Sequence, residues 1–221
     1  MKLIVISAPE KIEKEHDLIN ALFEQGLKCF HLRKPGFSVD EMQDFLKAIH
    51  PKFLRRISVH SNYELIGKYN LAGIHLTGDY LISMPEDSLK EIYNVARKKN
   101  LKVSSSVHSL EDLTNLSFKY DYVFLSPVFN SISKDGYKNK ISHSRIAECL
   151  NDLKKIKART EVIALGGIDH GKIEKIIEMN FDGAAILGSV WNEFSKSGNV
   201  AHTIEVFNSI KVKCQTADHL F

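Results

Sequence analysis

Eight short runs of apolar, largely β-branched residues recur along this chain with segments of helical periodicity between them, and no other feature constrains the fold as strongly. The runs cover residues 3–6, 28–32, 56–59, 73–76, 102–107, 121–125, 162–165 and 183–187. Apolar residues at helical spacing mark 12–24, 39–49, 89–99, 145–156 and 172–178, many of these segments opening on a Ser or Asp cap. Strands that alternate with helices feed a parallel sheet. Eight such units in 221 residues, 43% of them hydrophobic, fill one domain and predict an α/β fold, a single (β/α)8 TIM barrel over residues 1–213. The stretch 214–221 lacks a periodic pattern and reads as a C-terminal tail. A doubly wound sheet would show fewer strands and a glycine-rich first turn, whereas here the first run is followed by Ser7-Ala8-Pro9-Glu10.

Composition removes several function classes. The formal charge is +3 with Lys and Arg scattered along the chain, so no basic stripe predicts a nucleic-acid partner. Cys29, Cys149 and Cys214 lie far apart with no C-x-x-C spacing, which predicts reduced packing thiols rather than disulfides or a zinc cluster. No apolar stretch approaches the roughly 20 residues of a membrane helix. The N-terminal apolar run meets Pro9 and charged residues early, unlike a signal peptide, so the expected location is the cytoplasm without a membrane partner. A homo-oligomer stays open.

In this architecture sites form where the strands end in their carboxyl direction. After strand seven, Gly166-Gly167 allows close backbone approach and an amide-lined helix start. After strand eight, Gly188-Ser189 puts an amide and a hydroxyl at the start of the last helix, and the two turns together match the barrel phosphate site. The plainer reading is that these glycines only permit tight turns. Ser131-x-Ser133-Lys134, in a long loop after strand six, offers hydroxyls and an ammonium to phosphate oxygens, although loop Ser and Lys are mostly solvated. Arg33, beside Lys34 after strand two, could clamp a phosphate in bidentate fashion or form a surface ion pair. His108 follows strand five and suits proton transfer near neutral pH, or a structural cap. His31, His60 and His75 also sit at strand ends, but they lack the close spacing of a helical metal pair, which disfavours a zinc site.

These strand ends resemble the thiamine phosphate synthase family and its relatives, the TenI-type thiazole tautomerases. The likeness runs from His31-Leu32-Arg33-Lys34 through Ala72-Gly73-Ile74-His75-Leu76 and Ser106-Val107-His108-Ser109-Leu110-Glu111-Asp112. It continues through Tyr122-Val123-Phe124-Leu125-Ser126-Pro127-Val128-Phe129 and Ser131-x-Ser133-Lys134 to Ala164-Leu165-Gly166-Gly167-Ile168. The resemblance implies phosphorylated small-molecule substrates: hydroxymethylpyrimidine diphosphate loses pyrophosphate as the nitrogen of a thiazole phosphate attacks its methylene, giving thiamine phosphate. It places Arg33, Ser131, Ser133 and Lys134 at the pyrophosphate, Ser106 near the pyrimidine, and Gly167 with Gly188-Ser189 at the thiazole phosphate. His108, Lys134 and Arg33 are then the expected catalytic residues. His31 and Lys34 fall where the family has a glutamine and near its second cation, and His60-Ser61 stands where the family shows Asn-Asp. The resemblance also implies magnesium, yet Ser61 lacks the usual carboxylate and Asp79 lies one residue before the place of the second, now Tyr80. Two alternatives accompany the synthase reading. One is a tautomerase that moves a proton on thiazole carboxylate phosphate through His108, and the other is a precursor-binding barrel without chemistry.

Overall fold

The computed structural model describes residues 1–130, 141–156 and 160–216. Eight parallel strands close into a barrel in chain order, β1 (Lys2–Ile6), β2 (Cys29–Leu32), β3 (Ile57–Val59), β4 (Gly73–Leu76), β5 (Lys102–Val107), β6 (Tyr122–Leu125), β7 (Glu161–Leu165) and β8 (Gly183–Ile186). Each predicted run became a strand within one residue of its expected ends. Around the barrel run α1 (Glu15–Glu24), α2 (Val39–Lys47), α3 (Gly78–Ser83), α4 (Glu86–Lys98), α5 (Leu110–Thr114), α6 (His143–Lys155), α7 (Ile173–Glu178), α8 (Gly188–Ser197) and α9 (Val200–Thr216). Between β3 and β4 a 3₁₀ turn, Tyr63–Gly67, stands in for a helix.

Local chemistry explains the elements. Ser38 and Glu41 form a reciprocal capping box at the start of α2, a device that stabilises a helix end by about 1 kcal/mol. In α4, Glu86 and Asp87 open the helix and Arg97 and Lys98 close it, each sign complementing the helix dipole. The last helix continues past the expected boundary at 213: Cys214 is buried, because α9 lays Phe207, Ile210 and Cys214 against the barrel floor. The carbonyl of Cys214 accepts from the N-terminal amine at 3.1 Å. Among the described residues no helix is long and apolar enough to cross a membrane.

Strand alternation separates two cores. Outward residues such as Phe30, Leu32, Ile57, Val59, Ile74, Leu76, Val123 and Leu125 pack under the helices. The barrel interior is unequal. From β1, β6, β7 and β8 it receives Ile4, Ile6, Tyr122, Phe124, Ile163 and Ala185, an apolar set. From β2 to β5 the same inward positions carry His31, Ser58, His60, His75 and Ser104, all buried. Barrel interiors are usually bulky and branched, so this polar half holds only if its members satisfy one another.

Candidate active site

At the carboxyl end of β7 both glycines have positive φ, +99° at Gly166 and +65° at Gly167. A Cβ at Gly167 would lie 2.1 Å from the Asn130 carbonyl oxygen. The segment after β6 is the reason: Val128 N–H donates to the Leu165 carbonyl at 2.9 Å and Phe129 N–H to that of Gly166 at 3.1 Å. Tight packing therefore accounts for these glycines without a ligand. It also sets Asn130, the last described residue before the Ser131-x-Ser133-Lys134 loop, against the strand-seven turn. Ser131, Ser133 and Lys134 themselves lie outside the described residues.

The turn after β8 differs, because it leaves a buried hydroxyl without a partner among the described residues. Leu165 pairs with Ala185, so the two turns sit on neighbouring strand ends. Helix α8 begins at Gly188, and its first internal bonds run from Val190 and Trp191 to the Leu187 carbonyl, at 3.1 and 3.0 Å. The amides of Gly188 and Ser189 precede those bonds and lie at the positive end of the helix. The Ser189 hydroxyl is buried without a hydrogen-bond partner among the described residues. Such an orphan costs about 1–3 kcal/mol, which a phosphate oxygen would relieve. Trp191 holds the helix in place, its indole N–H donating to the Ile6 carbonyl at 2.6 Å.

Arg33 and Lys34, adjacent in sequence, part ways in space. The backbone of Arg33 is clamped by Ser7, whose hydroxyl accepts from Arg33 N–H at 2.8 Å and lies 2.9 Å from its carbonyl. Its half-buried guanidinium has no acid within ion-pair distance among the described residues, so the surface ion pair is not formed. Lys34 corrects the expectation of a second substrate cation. Its ammonium is fully buried, 2.6 Å from Glu15 Oε2 and 2.6 Å from the Glu10 carbonyl, on the helix side of the barrel wall. Residues alternate across a strand and its continuation, so Arg33 and Lys34 cannot both face the mouth.

His108 is exposed beside β6, with Nδ1 2.7 Å from the Ser126 carbonyl. A carbonyl only accepts, so Nδ1 carries the proton and Nε2 of the neutral ring is left as a base. Ser106, inward on β5, places its hydroxyl 3.1 Å from His75 Nε2. Ser104 Oγ lies 3.0 Å from His75 Nδ1 and donates to the Ile74 carbonyl at 3.3 Å. His75 therefore donates from Nδ1 to Ser104 and keeps a lone pair on Nε2.

The three histidines that sequence spacing separated converge inside the mouth. His31 Nδ1 is 2.8 Å from His60 Nε2, and His31 Nε2 is 2.6 Å from the Tyr122 hydroxyl. The His60 and His75 rings stack with centroids 4.1 Å apart. His31 is 0% exposed with both nitrogens engaged, which removes it from direct substrate contact, whereas His60 stands nearer the rim and is 8% exposed. Parallel barrel closure brings inward positions of adjacent strands together, a proximity that linear spacing does not show.

Burial holds all three rings neutral. It pushes His75 down to about 3, with the Arg33 charge adding to the effect, and lowers His31 and His60 well below the usual imidazole range. An unfolded histidine takes its proton near pH ~6.5. The sign follows: the cluster contributes fully above that pH, and stability is lost as pH falls toward the folded values, because only the unfolded chain gains protons. His75 alone costs about 2 kcal/mol between about pH 7.5 and about pH 5, and the other two act in the same direction. Urea midpoints should fall steeply over this range and less steeply in a His75→Asn variant. A flat wild-type profile would contradict the neutral cluster.

Magnesium does not fit the described residues. Ser61 offers a hydroxyl that bonds the Asn62 side-chain oxygen at 3.0 Å. Asp79 is exposed in the first turn of α3 and joins no converging group of ligating side chains among the described residues. A magnesium site needs carboxylate oxygens in near-octahedral array. The metal-ligand role expected of Asp79 is thus left without a partner ligand. A cavity of about 1490 Å³ opens at the opposite, N-terminal face, over Cys29, Ser58 and Tyr122. Its lining pairs Lys102 and Arg97 with Asp121 and Lys2 with Glu161 while keeping an excess of lysine and arginine, and that face of a barrel serves stability.

A family model described as thiamine monophosphate synthase matches residues 3–190. The thiamine-phosphate synthase of Staphylococcus haemolyticus is 25% identical over 201 residues, 87% of each chain. That of Leuconostoc citreum is 22% identical over 189 residues, 85% of this chain and 84% of its own. The crystal structure of thiamine phosphate pyrophosphorylase from Bacteroides thetaiotaomicron aligns with TM-score 0.77 at 33% identity, covering 97% of this chain and 98% of that one. The Pyrococcus furiosus pyrophosphorylase, at 21% identity and TM-score 0.71 over 96% of each chain, shares the fold. With the family model spanning the barrel from β1 into α8, this chain belongs to the thiamine monophosphate synthase family.

Proposed function

We propose that the protein is a thiamine-phosphate synthase that joins hydroxymethylpyrimidine diphosphate to a thiazole phosphate, releasing pyrophosphate. The observation that carries this reading is a barrel mouth holding a guanidinium, Arg33, and a buried hydroxyl, Ser189, that are unpartnered among the described residues, in a chain similar to synthases over nearly its whole length. The Gly188 and Ser189 amides and the Ser189 hydroxyl hold the thiazole phosphate, with Gly167 packed beside them. Arg33 and Lys134, with the hydroxyls of Ser131 and Ser133, hold the diphosphate. Ser106 and His60 border the pyrimidine. As the carbon–oxygen bond breaks, negative charge grows on pyrophosphate and Arg33 stabilises it, while the thiazole nitrogen attacks the methylene from the other side.

Purified protein incubated with both substrates and magnesium should form thiamine phosphate; no product at high enzyme concentration rejects the reading. Ser189→Ala should raise KM for the thiazole phosphate about tenfold with kcat little changed, the loss of one charge-assisted bond. An unchanged KM would move the phosphate elsewhere.

His108 supports a second reading. Its Nδ1–H is fixed on the Ser126 carbonyl and its Nε2 is poised to take a proton, as a thiazole tautomerase would require. Loss of turnover in His108→Asn with thiazole carboxylate phosphate, and its retention in coupling, would select this activity.

A further inference from the structure

We propose that His31, His60 and His75 form a three-imidazole site for a divalent transition-metal ion such as zinc or cobalt, set in the mouth of the barrel. The inference goes beyond the coupling reaction, which does not require it. One ring nitrogen from each histidine lies within 4.8 Å of the other two, and among the described residues this is the group of three that converges. The nitrogens that can ligate are His31 Nδ1, His60 Nε2 and His75 Nε2, the last now accepting from the Ser106 hydroxyl at 3.1 Å. Two of them are 2.8 Å apart and share a single hydrogen, which an ion would replace. The third carries a lone pair, fixed by the donation of His75 Nδ1–H to Ser104.

Outer partners stand beside two of the three rings. Tyr122 holds His31 Nε2 at 2.6 Å and Ser104 holds His75 Nδ1 at 3.0 Å, the kind of contacts that orient ligating imidazoles. Tetrahedral coordination with nitrogens at about 2.0–2.1 Å needs nitrogen–nitrogen edges of about 3.4 Å. An edge at the 4.8 Å limit closes by about 1.4 Å and the 2.8 Å edge opens by about 0.6 Å, which rotation about the soft χ2 of the rings supplies. Neutral imidazoles are the metal-binding form, and burial keeps these neutral.

Ion choice follows from the donors. Three nitrogens with no carboxylate select zinc, cobalt, nickel or copper over magnesium. The Arg33 charge reaches both His60 and His75 and opposes a bare cation. The fourth position therefore favours an anionic ligand entering from the rim, the side on which His60 retains its 8% exposure.

Chelator-treated full-chain protein, titrated with cobalt(II) in magnesium-free buffer, should bind one ion per chain with visible ligand-field absorption. His31→Gln and His60→Gln should each weaken binding by about 100-fold with the circular dichroism unchanged, and Asp79→Asn should leave it unaltered. Paramagnetic broadening of the Tyr122 ring resonances in the unaltered protein gives a check that needs no variant. Absence of saturable binding, binding that survives the His31→Gln/His60→Gln double variant, or Tyr122 resonances untouched by cobalt would overturn the site. Cobalt bound at the cluster without coupling activity would sink the synthase reading and leave the metal site standing. Coupling without cobalt binding would do the reverse.

Discussion

Arg33→Ala should lower kcat/KM for thiamine phosphate formation by about 10²–10³-fold, the usual consequence of losing one donor aimed at charge that grows in the transition state. The guanidinium is half-buried in the mouth and unpaired among the described residues, so its charge is available to a leaving pyrophosphate. Lys34 cannot replace it, because its ammonium is held on the far side of the wall by Glu15. Arg33→Lys keeps the charge and loses the planar fork, and should cost about tenfold. A purely structural role would lower the melting temperature as well. None is expected, since the side chain makes no ion pair among the described residues. Activity of Arg33→Ala within threefold of the parent would remove Arg33 from the reaction.

The second large effect concerns stability. Glu15→Ala should destabilise the fold by about 3–5 kcal/mol, because it strands a buried ammonium with only the Glu10 carbonyl. Burial already raises Glu15 and lowers Lys34 from their ordinary values, so desolvation works against both charged forms. Glu15 Oε1 is itself buried without a partner among the described residues, and the Lys34 ammonium lies 5.3 Å from the Phe45 ring centre. The pair is therefore poorly compensated. Glu15→Leu combined with Lys34→Met should restore stability to within about 1 kcal/mol of the parent, since an apolar pair of similar volume carries no desolvation cost. Urea unfolding of the single and double variants measures both. A Glu15→Ala loss below 1 kcal/mol would show that water reaches the pair.

The barrel was legible because its signal is periodic and local. Runs of branched residues mark strands wherever they occur, and β4 and β5 coincide with their expected ranges. The short helices α3 and α5 left no such trace, being six and five residues long. They rest on caps, Thr77 and Ser109, rather than on an apolar stripe. Site residues were legible only as positions. That Arg33 faces the mouth while Lys34 does not depends on the parity of the chain leaving β2, and a one-residue change in register would exchange them. The histidine cluster, disfavoured in the sequence on linear spacing, was missed for a different reason. His31, His60 and His75 lie on or just past three successive strands separated by whole crossovers, and their meeting is a property of closure. An inward polar residue on each of three successive strands was the signal that could have revealed it.

The unequal lining of the barrel bears on how freely this chain can drift. The apolar half, built from Ile4, Ile6, Phe124, Ile163 and Ala185, accepts exchanges that conserve volume, because its contacts have no direction. The histidine and serine half is directional, each member fixing the proton of another, so a single replacement strands its neighbours. A saturation library selected for folding would therefore show a lopsided map, permissive along β1, β7 and β8 and, along the inward face of β2 to β5, confined to side chains that still hydrogen-bond, glutamine and asparagine among them.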